Sequence, residues 1–203
     1  YSKISSITAE DFEVLGKLKN AQKLEYRQLI ELLFRNRGIK PSDFDDFLNP
    51  DFSKVTTKNV GINSSEIEKS IKRIERAIKE REKIVVFGDY DVDGICGSAI
   101  LWETLKEKGA DVLPYIPNRF EEGYGLSKDA ISNLLSKMPE VKLIITVDNG
   151  IVAGSGVEFA NENGIDVIIT DHHVPGKKLL KAYSIVHTTK LCGAGVVYLL
   201  AQK

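Results

Sequence analysis

The sequence predicts an α/β fold: a doubly wound, mainly parallel sheet flanked by helices, with a helical region before it. Beyond Lys83, short runs of apolar, β-branched residues alternate with amphipathic stretches. Strand–helix–strand repeats of this kind build parallel sheets with right-handed crossovers. Before Lys83, apolar residues recur at helical spacing instead. We therefore expect a helical N-terminal region over 1–82 that packs on a core domain over 83–203.

The N-terminal region contains two helix patterns. The first carries an apolar stripe and is followed by Gly38 and Pro41, which are typical helix stops. Its stripe consists of Tyr26, Leu29, Ile30, Leu33 and Phe34. In the second, Ser65 and Glu68 have the spacing of a capping box ahead of an isoleucine stripe. Seven cations and five glutamates between Ser65 and Lys83 indicate either a solvated helix face or a track for DNA.

Four strands are predicted in the core domain, all apolar on both faces and rich in β-branched residues, as strands of parallel sheets are. They cover residues 84–87, 112–115, 143–147 and 167–170. Amphipathic helices are expected around residues 98–108, 127–137 and 157–163. Gly109 and Gly164 stop two of these helices. Because ligands of such sheets bind at the carboxyl ends of the strands, the residues that follow each strand are the candidates for function.

Acidic residues and histidines follow three of the predicted strands. Asp89, Asp91 and Asp93 come after the first strand at every second position, so an extended chain would place them on one side. Asp148 follows the third strand, and an Asp-His-His run at 171–173 follows the fourth. Like charges crowded at one sheet edge favour a bound divalent cation. Carboxylates combined with imidazole suit Mn²⁺, which we expect ahead of Mg²⁺.

Each cluster by itself has another interpretation. The Asp-x-Asp-x-Asp-Gly string over 89–94 is similar to a calcium loop, although an EF-hand needs a later glutamate and flanking helices. Asp148 before Asn149 and Gly150 is also typical of a turn. An Asp-His pair often caps a helix or lies at the surface. The coincidence of three clusters at one sheet edge favours the metal site.

Four ordered segments resemble the motifs of the DHH phosphoesterase family. They are Gly88-Asp89-Tyr90-Asp91-Val92-Asp93-Gly94, Asp148-Asn149-Gly150, Asp171-His172-His173 and Gly193-Ala194-Gly195-Val196. Within that family, the first segment is similar to the form found in RecJ-type exonucleases specific for single strands. The stretches 36–39, 47–50 and 117–126 also resemble that branch. The resemblance therefore covers nearly the whole chain.

The resemblance implies a role for each matching residue. The implied metal ligands are Asp91, Asp93, Asp148 and His172. Three further residues form the expected catalytic set. Asp171 is implied to orient His172, and His173 to reach the scissile phosphate. Asp89 is expected either to accept a hydrogen bond behind the ligands or to bind a metal through water.

Substrate contacts are expected from the loop after the second strand and from the last motif. Arg119 is a candidate phosphate clamp, because a guanidinium can bind two phosphate oxygens at once, and a surface arginine is the alternative. Tyr124 lies in the same stretch, and His173 is implied to touch substrate as well. Gly193 and Gly195 indicate either a close approach of the backbone to substrate or a helix start.

The resemblance implies a metal-dependent exonuclease that removes nucleotides from single-stranded DNA in the 5′ to 3′ direction, in repair or recombination alongside other repair proteins. Two metal ions roughly 3.5 to 4 Å apart would activate a water molecule, with no covalent nucleophile. A phosphodiesterase of short RNA or cyclic dinucleotides shares this core, but such relatives often carry histidine where Phe87 stands. A non-catalytic replication scaffold is the third interpretation, and the complete set of candidate ligands disfavours it.

Composition limits the cellular location and the kind of nucleic-acid binding that we expect of the protein. Lys and Arg number 28 against 29 Asp and Glu, so any nucleic-acid binding depends on a local groove. Cys96 and Cys192 match no zinc spacing and make a poor disulfide framework. No apolar run reaches 18 residues. We therefore expect a cytoplasmic protein that is not embedded in a membrane.

Two features depart from the family pattern. Relatives commonly carry a further aspartate ligand after the last motif and then a second domain, and we expect both to lie beyond Lys203. The segment before Gly193 is also shorter than in many exonucleases, and it contains His187. That histidine is either an extra phosphate contact or a histidine of a surface loop.

Overall fold

The computed structural model describes residues 26–118, 122–177 and 180–203. The chain divides into two compact units, Tyr1–Val55 and Thr56–Lys203. In the described part, no helix combines the length and the apolar character needed to cross a membrane.

The described part of the first unit, residues 26–55, contains two helices joined by short turns. Helix α1, Tyr26–Asn36, confirms the predicted helix, and Gly38 after it has a φ of +70°, which glycine adopts without strain. A 3₁₀ turn at Pro41–Asp43, helix α2 at Phe44–Leu48 and a 3₁₀ turn at Phe52–Lys54 follow. The ring of Phe34 packs edge-on against Phe44 and Phe47, at centroid distances of 4.6 and 5.0 Å. These aromatic contacts hold α1 against α2.

The second unit begins with helix α3, Ser64–Glu80. The expected capping box is wrong, because the N-cap is Asn63 and not Ser65. The Asn63 side chain accepts hydrogen bonds from both the backbone N–H and the hydroxyl of Ser65, at 3.0 and 2.8 Å. Asn is among the strongest N-cap residues. Because Asn63 lies two residues before Ser65, the helix begins at Ser64. The helix ends at Arg81, which is left-handed with a φ of +56°.

A five-stranded sheet forms the centre of this unit, and every strand pair in it is parallel. Its strands are β1 Lys83–Phe87, β2 Val112–Tyr115, β3 Val141–Val147, β4 Asp166–Asp171 and β5 Ser184–His187. Their order across the sheet is β2-β1-β3-β4-β5. The chain therefore winds in one direction from β1 to β2 and in the other from β3 onward. The point of reversal, between β1 and β3, is where doubly wound folds bind their ligands.

Among the described residues that connect or follow the strands there are four helices: α4 Val92–Glu107, α5 Lys128–Lys137, α6 Gly154–Glu162 and α7 Gly193–Ala201. The predicted helices and strands are all present, although α4 begins six residues earlier than expected because Asp91 caps it. Strand β5 was not predicted. It has only four residues, and apolar side chains occupy only its two central positions. A pattern this short does not distinguish a strand from a loop.

Alternate residues of the strands pack on opposite faces of the sheet. On one face, Val85 and Phe87 of β1 join a core cluster with residues of α5 and α6. On the other face, Ile84 and Val86 join a cluster with residues of α3, α4 and α7. These four side chains of β1 are fully buried. Burial on both faces explains why the central strands read as unbroken apolar runs.

Helix α3 also covers the exposed edge of the sheet at β5. Glu66 accepts a hydrogen bond from the backbone N–H of Ile185 at 2.8 Å. The hydroxyl oxygens of Ser70 and Ser184 lie 2.7 Å apart. A side chain therefore satisfies an edge-strand amide that would otherwise be open to pairing with another chain.

Arg73 of α3 lies at the opposite end of the sheet from the strand carboxyl ends. Its guanidinium binds Asp166 at 2.5 Å and Glu82 at 2.6 Å, and it donates to the backbone oxygen of Lys142 at 3.3 Å. The residue is only 2% exposed. The sequence pattern placed it among the cations of a solvated helix face, and this is wrong for Arg73 because its partners lie at the starts of three strands.

Candidate metal centre

The first acidic motif forms the turn between β1 and α4. The strand ends at Phe87, so the three aspartates do not alternate along an extended chain, as the sequence pattern suggested. Asp91 instead caps α4 by accepting a hydrogen bond from the N–H of Gly94 at 2.9 Å, and Asp93 lies in the first helical turn. A Cβ at Gly94 would lie 2.6 Å from the carbonyl oxygen of Asp89. Only glycine therefore fits where the helix turns back over Asp89.

Asp148 follows β3 in a strained and buried position. Its φ is +61°, a value that few residues other than glycine adopt. The residue is 1% exposed, and its Oδ1 has no hydrogen-bond partner within the described residues. A positive φ is compatible with an Asp in a turn, but a turn former at the surface would not be buried, so the turn interpretation alone does not account for Asp148. A buried carboxylate oxygen without a partner is costly unless something else neutralises it.

Asp171, at the end of β4, connects two loops of the centre. Its Oδ2 accepts a hydrogen bond from the N–H of Ile151 at 2.9 Å. Its Oδ1 accepts from the backbone N–H groups of His172 and His173 at 2.7 and 3.1 Å, and lies 2.8 Å from Nδ1 of His173. The sequence interpretation had Asp171 orienting His172. It holds both backbone amides, but the ring that it holds is that of His173.

The two histidines take different places in the centre. Nε2 of His172 lies 3.1 Å from Oδ1 of Asp148 and 3.6 Å from Oδ2 of Asp93. Nδ1 of His173 lies 4.0 Å from the same Asp148 oxygen. The two rings are tilted with their centroids 4.6 Å apart. His172 therefore points into the carboxylate cluster, while His173 stands at its rim.

Two sets of ligand atoms converge closely enough to hold a cation. One set is Asp148 with His172 and His173, and the other is Asp148 with Asp89 and Asp91. Within each set the ligand atoms lie within 4.8 Å of one another. Asp148 belongs to both sets, and its buried Oδ1 accepts no hydrogen bond from the described residues, although Nε2 of His172 lies 3.1 Å away. The donor set of carboxylates and imidazoles fits a divalent cation of the Mn²⁺ type.

The surroundings of Asp148 disfavour ionisation of its carboxyl group when no cation is present. Burial raises the pKa of Asp148 to about 7, and the charges of Asp93 and Asp91 add to this effect. An ordinary aspartate has a pKa near 4. The protein thus holds a carboxyl group that is only partly ionised at neutral pH until positive charge enters the centre.

Asp93 belongs to neither set, because its carboxylate binds the first turn of α7. It accepts hydrogen bonds from the N–H groups of Gly193 and Ala194 at 2.6 and 2.7 Å. Burial opposes its ionisation, but these two N–H groups and the Cys192 thiol outweigh burial and lower the pKa of Asp93. The side chain still lies near Nε2 of His172. Its role as a metal ligand stays a prediction.

The last motif brings α7 against the centre. Gly193 begins this helix, and a Cβ at Gly193 would lie 2.6 Å from Oδ1 of Asp148. The helix-start interpretation is therefore confirmed, and glycine is needed for a close approach to a metal-site residue. The N–H of Gly195 donates to the sulfur of Cys192 at 3.4 Å. A substrate contact by either glycine stays a prediction.

The loop after β2 reaches the centre through Tyr124. The residue is 52% exposed, and its hydroxyl donates a hydrogen bond to Asp89. Burial of the hydroxyl raises the pKa of Tyr124 above its ordinary value, and the charge of Asp89 raises it further. The buried Glu122 anchors the same loop by binding the Tyr115 hydroxyl at 2.7 Å. Arg119 lies outside the described residues.

Two residues of the centre were missed from the sequence. The side-chain amide of Asn149 donates to the carbonyl oxygens of Phe87 and Val147 at 3.2 and 2.9 Å, which ties the ends of β1 and β3 together. The Cys192 thiol donates a hydrogen bond to Asp93. The signal for Asn149 was its place directly after a buried strand end, where we had considered it only as a turn residue.

The fold and this centre together define a class: an α/β domain with an acidic and histidine-rich cluster, a candidate cation site, at the switch point of its sheet. The profile of the DHH family, N-terminal domain, matches residues 83–203. The chain belongs to the DHH family.

Several known proteins are similar to this chain in sequence and in structure. The single-stranded-DNA-specific exonuclease RecJ of Bacillus subtilis is 43% identical over 139 residues, which are 64% of this chain and 17% of that protein. A crystal structure of exonuclease RecJ bound to manganese is 40% identical, with a TM-score of 0.58 over 67% of this chain and 36% of that one. RecJ of Thermus thermophilus in complex with Mn²⁺ is 32% identical, with a TM-score of 0.59 over 85% and 24%. This chain therefore spans only a part of each relative.

Proposed function

We propose that this chain forms the metal-binding core of an exonuclease that removes nucleotides from single-stranded DNA in the 5′ to 3′ direction. The observation that carries the proposal is the pair of ligand sets that share the buried Asp148. The similarity to RecJ proteins, which are single-stranded-DNA-specific exonucleases, supports the substrate. Two Mn²⁺ ions are the proposed cofactors, with Mg²⁺ as the second choice. The proposed setting is the cytoplasm, with DNA repair proteins as partners.

Each of the two ligand sets is proposed to bind one ion. Asp91 and His172 would each hold one ion, and Asp148 would contribute to both ion sites, since it belongs to both sets. Asp93 supplements this shell, while Asp89 binds one ion directly or through water. Bound ions of this type lower the pKa of water and stabilise the charge of the transferring phosphoryl group.

His173 is the proposed contact to the scissile phosphate. Because a carboxylate only accepts hydrogen bonds, Nδ1 of His173 carries the proton that points at Asp171. Its other nitrogen is left to face substrate at the rim. Burial lowers the pKa of His173, but the hydrogen bond and charge of Asp171 outweigh burial and raise it. A raised pKa increases the share of the cationic form of His173, which is the form that binds phosphate oxygens.

The remaining substrate residues are proposed to flank this phosphate. Arg119 serves as a phosphate clamp on one side. Gly193 and Gly195 allow the first turn of α7 to lie close to the DNA backbone on the other side. Tyr124 offers a partly exposed ring for a base beside Asp89.

A metal titration on end-labelled substrates tests the proposed function. We expect Mn²⁺ to activate the intact protein on single strands labelled at either end, with products that show shortening from the 5′ end. Duplex DNA and dinucleotides serve as matched substrates, and both should be cleaved much more slowly.

Two outcomes would contradict this proposal. Cleavage of dinucleotides but not of longer strands would assign the protein to the short-oligonucleotide phosphodiesterases. Absence of cleavage, with Mn²⁺ bound, would assign it to the non-catalytic scaffolds.

Substitution of Tyr124 tests the proposed base contact. We expect Tyr124→Ala to raise KM for single-stranded DNA about five- to a hundredfold, because stacking of one base on an aromatic ring contributes about 1–3 kcal/mol. Tyr124→Phe keeps the ring and loses only the hydrogen bond to Asp89, so its KM should stay close to wild type. Equal KM values for the two variants would refute stacking at this position.

A further inference from the structure

His187 occupies a position that the sequence left undecided between a phosphate contact and a surface histidine. It is the last residue of β5, and its register partner in β4 is Asp171. The two strands are parallel, so both residues lie at the edge of the sheet that carries the metal centre. His187 is thus placed beside the Asp-His-His turn by backbone pairing alone.

The ring of His187 makes a specific contact with that turn. Its Nε2 lies 2.7 Å from the backbone carbonyl oxygen of His173. A carbonyl oxygen only accepts hydrogen bonds, so Nε2 must carry a proton and donate it. This contact commits Nε2 to the backbone, so only Nδ1 of His187 remains for any contact with a phosphate.

Asp171 and His187 both bind the backbone of the same turn, Asp171 at N–H groups and His187 at a carbonyl group. Asp171 accepts from the N–H groups of His172 and His173, while His187 donates to the carbonyl group that follows. Beyond this point the chain is exposed, with the side chain of Val174 79% accessible. The His187 contact therefore holds the turn directly before the chain becomes exposed.

We propose that His187 is a positioning residue for the metal centre, which acts through the carbonyl group of His173 to fix the rings of His172 and His173. Residues that orient metal ligands commonly change metal affinity or activity about ten- to a hundredfold when they are lost. The nuclease part of this inference rests on the proposed function, whereas the metal-binding part does not.

The test compares His187→Leu with His187→Gln in the intact protein. Leucine removes the donor, whereas the amide nitrogen of glutamine reaches about as far as Nε2 and restores a donor. We expect the leucine variant to bind Mn²⁺ about ten- to a hundredfold more weakly by calorimetry, with a lower kcat on single-stranded DNA and a similar melting temperature. The glutamine variant should recover most of both losses. Thr189→Ala, on the same loop, should match wild type.

Several results would overturn this assignment. They are equal losses in the leucine and glutamine variants, unchanged Mn²⁺ affinity and kcat in the leucine variant, or a change confined to KM for DNA. If the leucine variant fails to fold, His187→Asn replaces it, because its shorter amide cannot reach the His173 carbonyl group. Mn²⁺ binding is measured without DNA, so a protein that binds Mn²⁺ but cleaves nothing would refute the proposed function and leave this test intact.

Discussion

Asp148→Asn is expected to abolish metal-dependent cleavage while it stabilises the metal-free protein. The substitution removes the carboxylate that both ligand sets share, so activity should fall by about 10²–10³-fold or more, the scale seen when one group that stabilises transition-state charge is lost. Asparagine is preferable to alanine here, because the φ of +61° at this position is one that Asn tolerates far better.

The stability effect follows from the pKa of Asp148. Because its pKa is raised to about 7 in the folded protein and is near 4 in an unfolded chain, the folded state binds the proton more tightly. Stability of the metal-free wild type should therefore decrease as the pH rises from about 4 through about 7. The Asn variant lacks this ionisation and should lose less stability over that range.

Melting temperatures at pH 5 and pH 8, with and without Mn²⁺, check this prediction. The metal-free variant should melt higher than the metal-free wild type at pH 8 and close to it at pH 5. Added Mn²⁺ should stabilise the wild type much more than the variant. An equal increase in melting temperature on addition of Mn²⁺ to both proteins would show that Asp148 is not a metal ligand.

Arg73→Met is expected to destabilise the protein by about 3 kcal/mol, because removal of one partner of a buried ion pair leaves the others uncompensated. The guanidinium joins Asp166, Glu82 and the backbone of Lys142. These residues lie at or beside the starts of three strands, far along the sheet from the metal centre. A loss of this size lowers the melting temperature by roughly 6–12 °C in a protein of this length.

Arg76 provides a matched control for this substitution. It lies 3.1 Å from the same Asp166 oxygen, but its side chain is 48% exposed. Exposed ion pairs contribute about 0–1 kcal/mol, so Arg76→Met should shift the melting temperature only slightly. Chemical denaturation of both variants measures the difference. Similar losses in the two variants would show that burial of Arg73 does not decide the stability of this network.

Much of the fold could be predicted from local sequence patterns. The unbroken apolar runs of β1, β3 and β4 reflect burial on both sheet faces, and the amphipathic stretches between strands reflect helices that cover them. The strand pattern also predicted where the acidic and histidine residues lie, because a parallel sheet brings the carboxyl ends of its strands to one edge. These residues are Asp89, Asp91, Asp148 and the run 171–173. The sequence by itself thus determined four of the five strands and the residues that lie at their carboxyl ends.

Only the tertiary structure decided which partner each of these residues takes. Asp93 binds the amide of Gly193, 100 residues further along the chain, and Arg73 binds Asp166 across a similar separation. Strand β5, and with it His187, depends on pairing with β4 rather than on its own four residues. Hydrophobic periodicity is a local signal. Hydrogen-bond partners of buried polar groups are instead selected by which groups the completed fold places within about 3 Å.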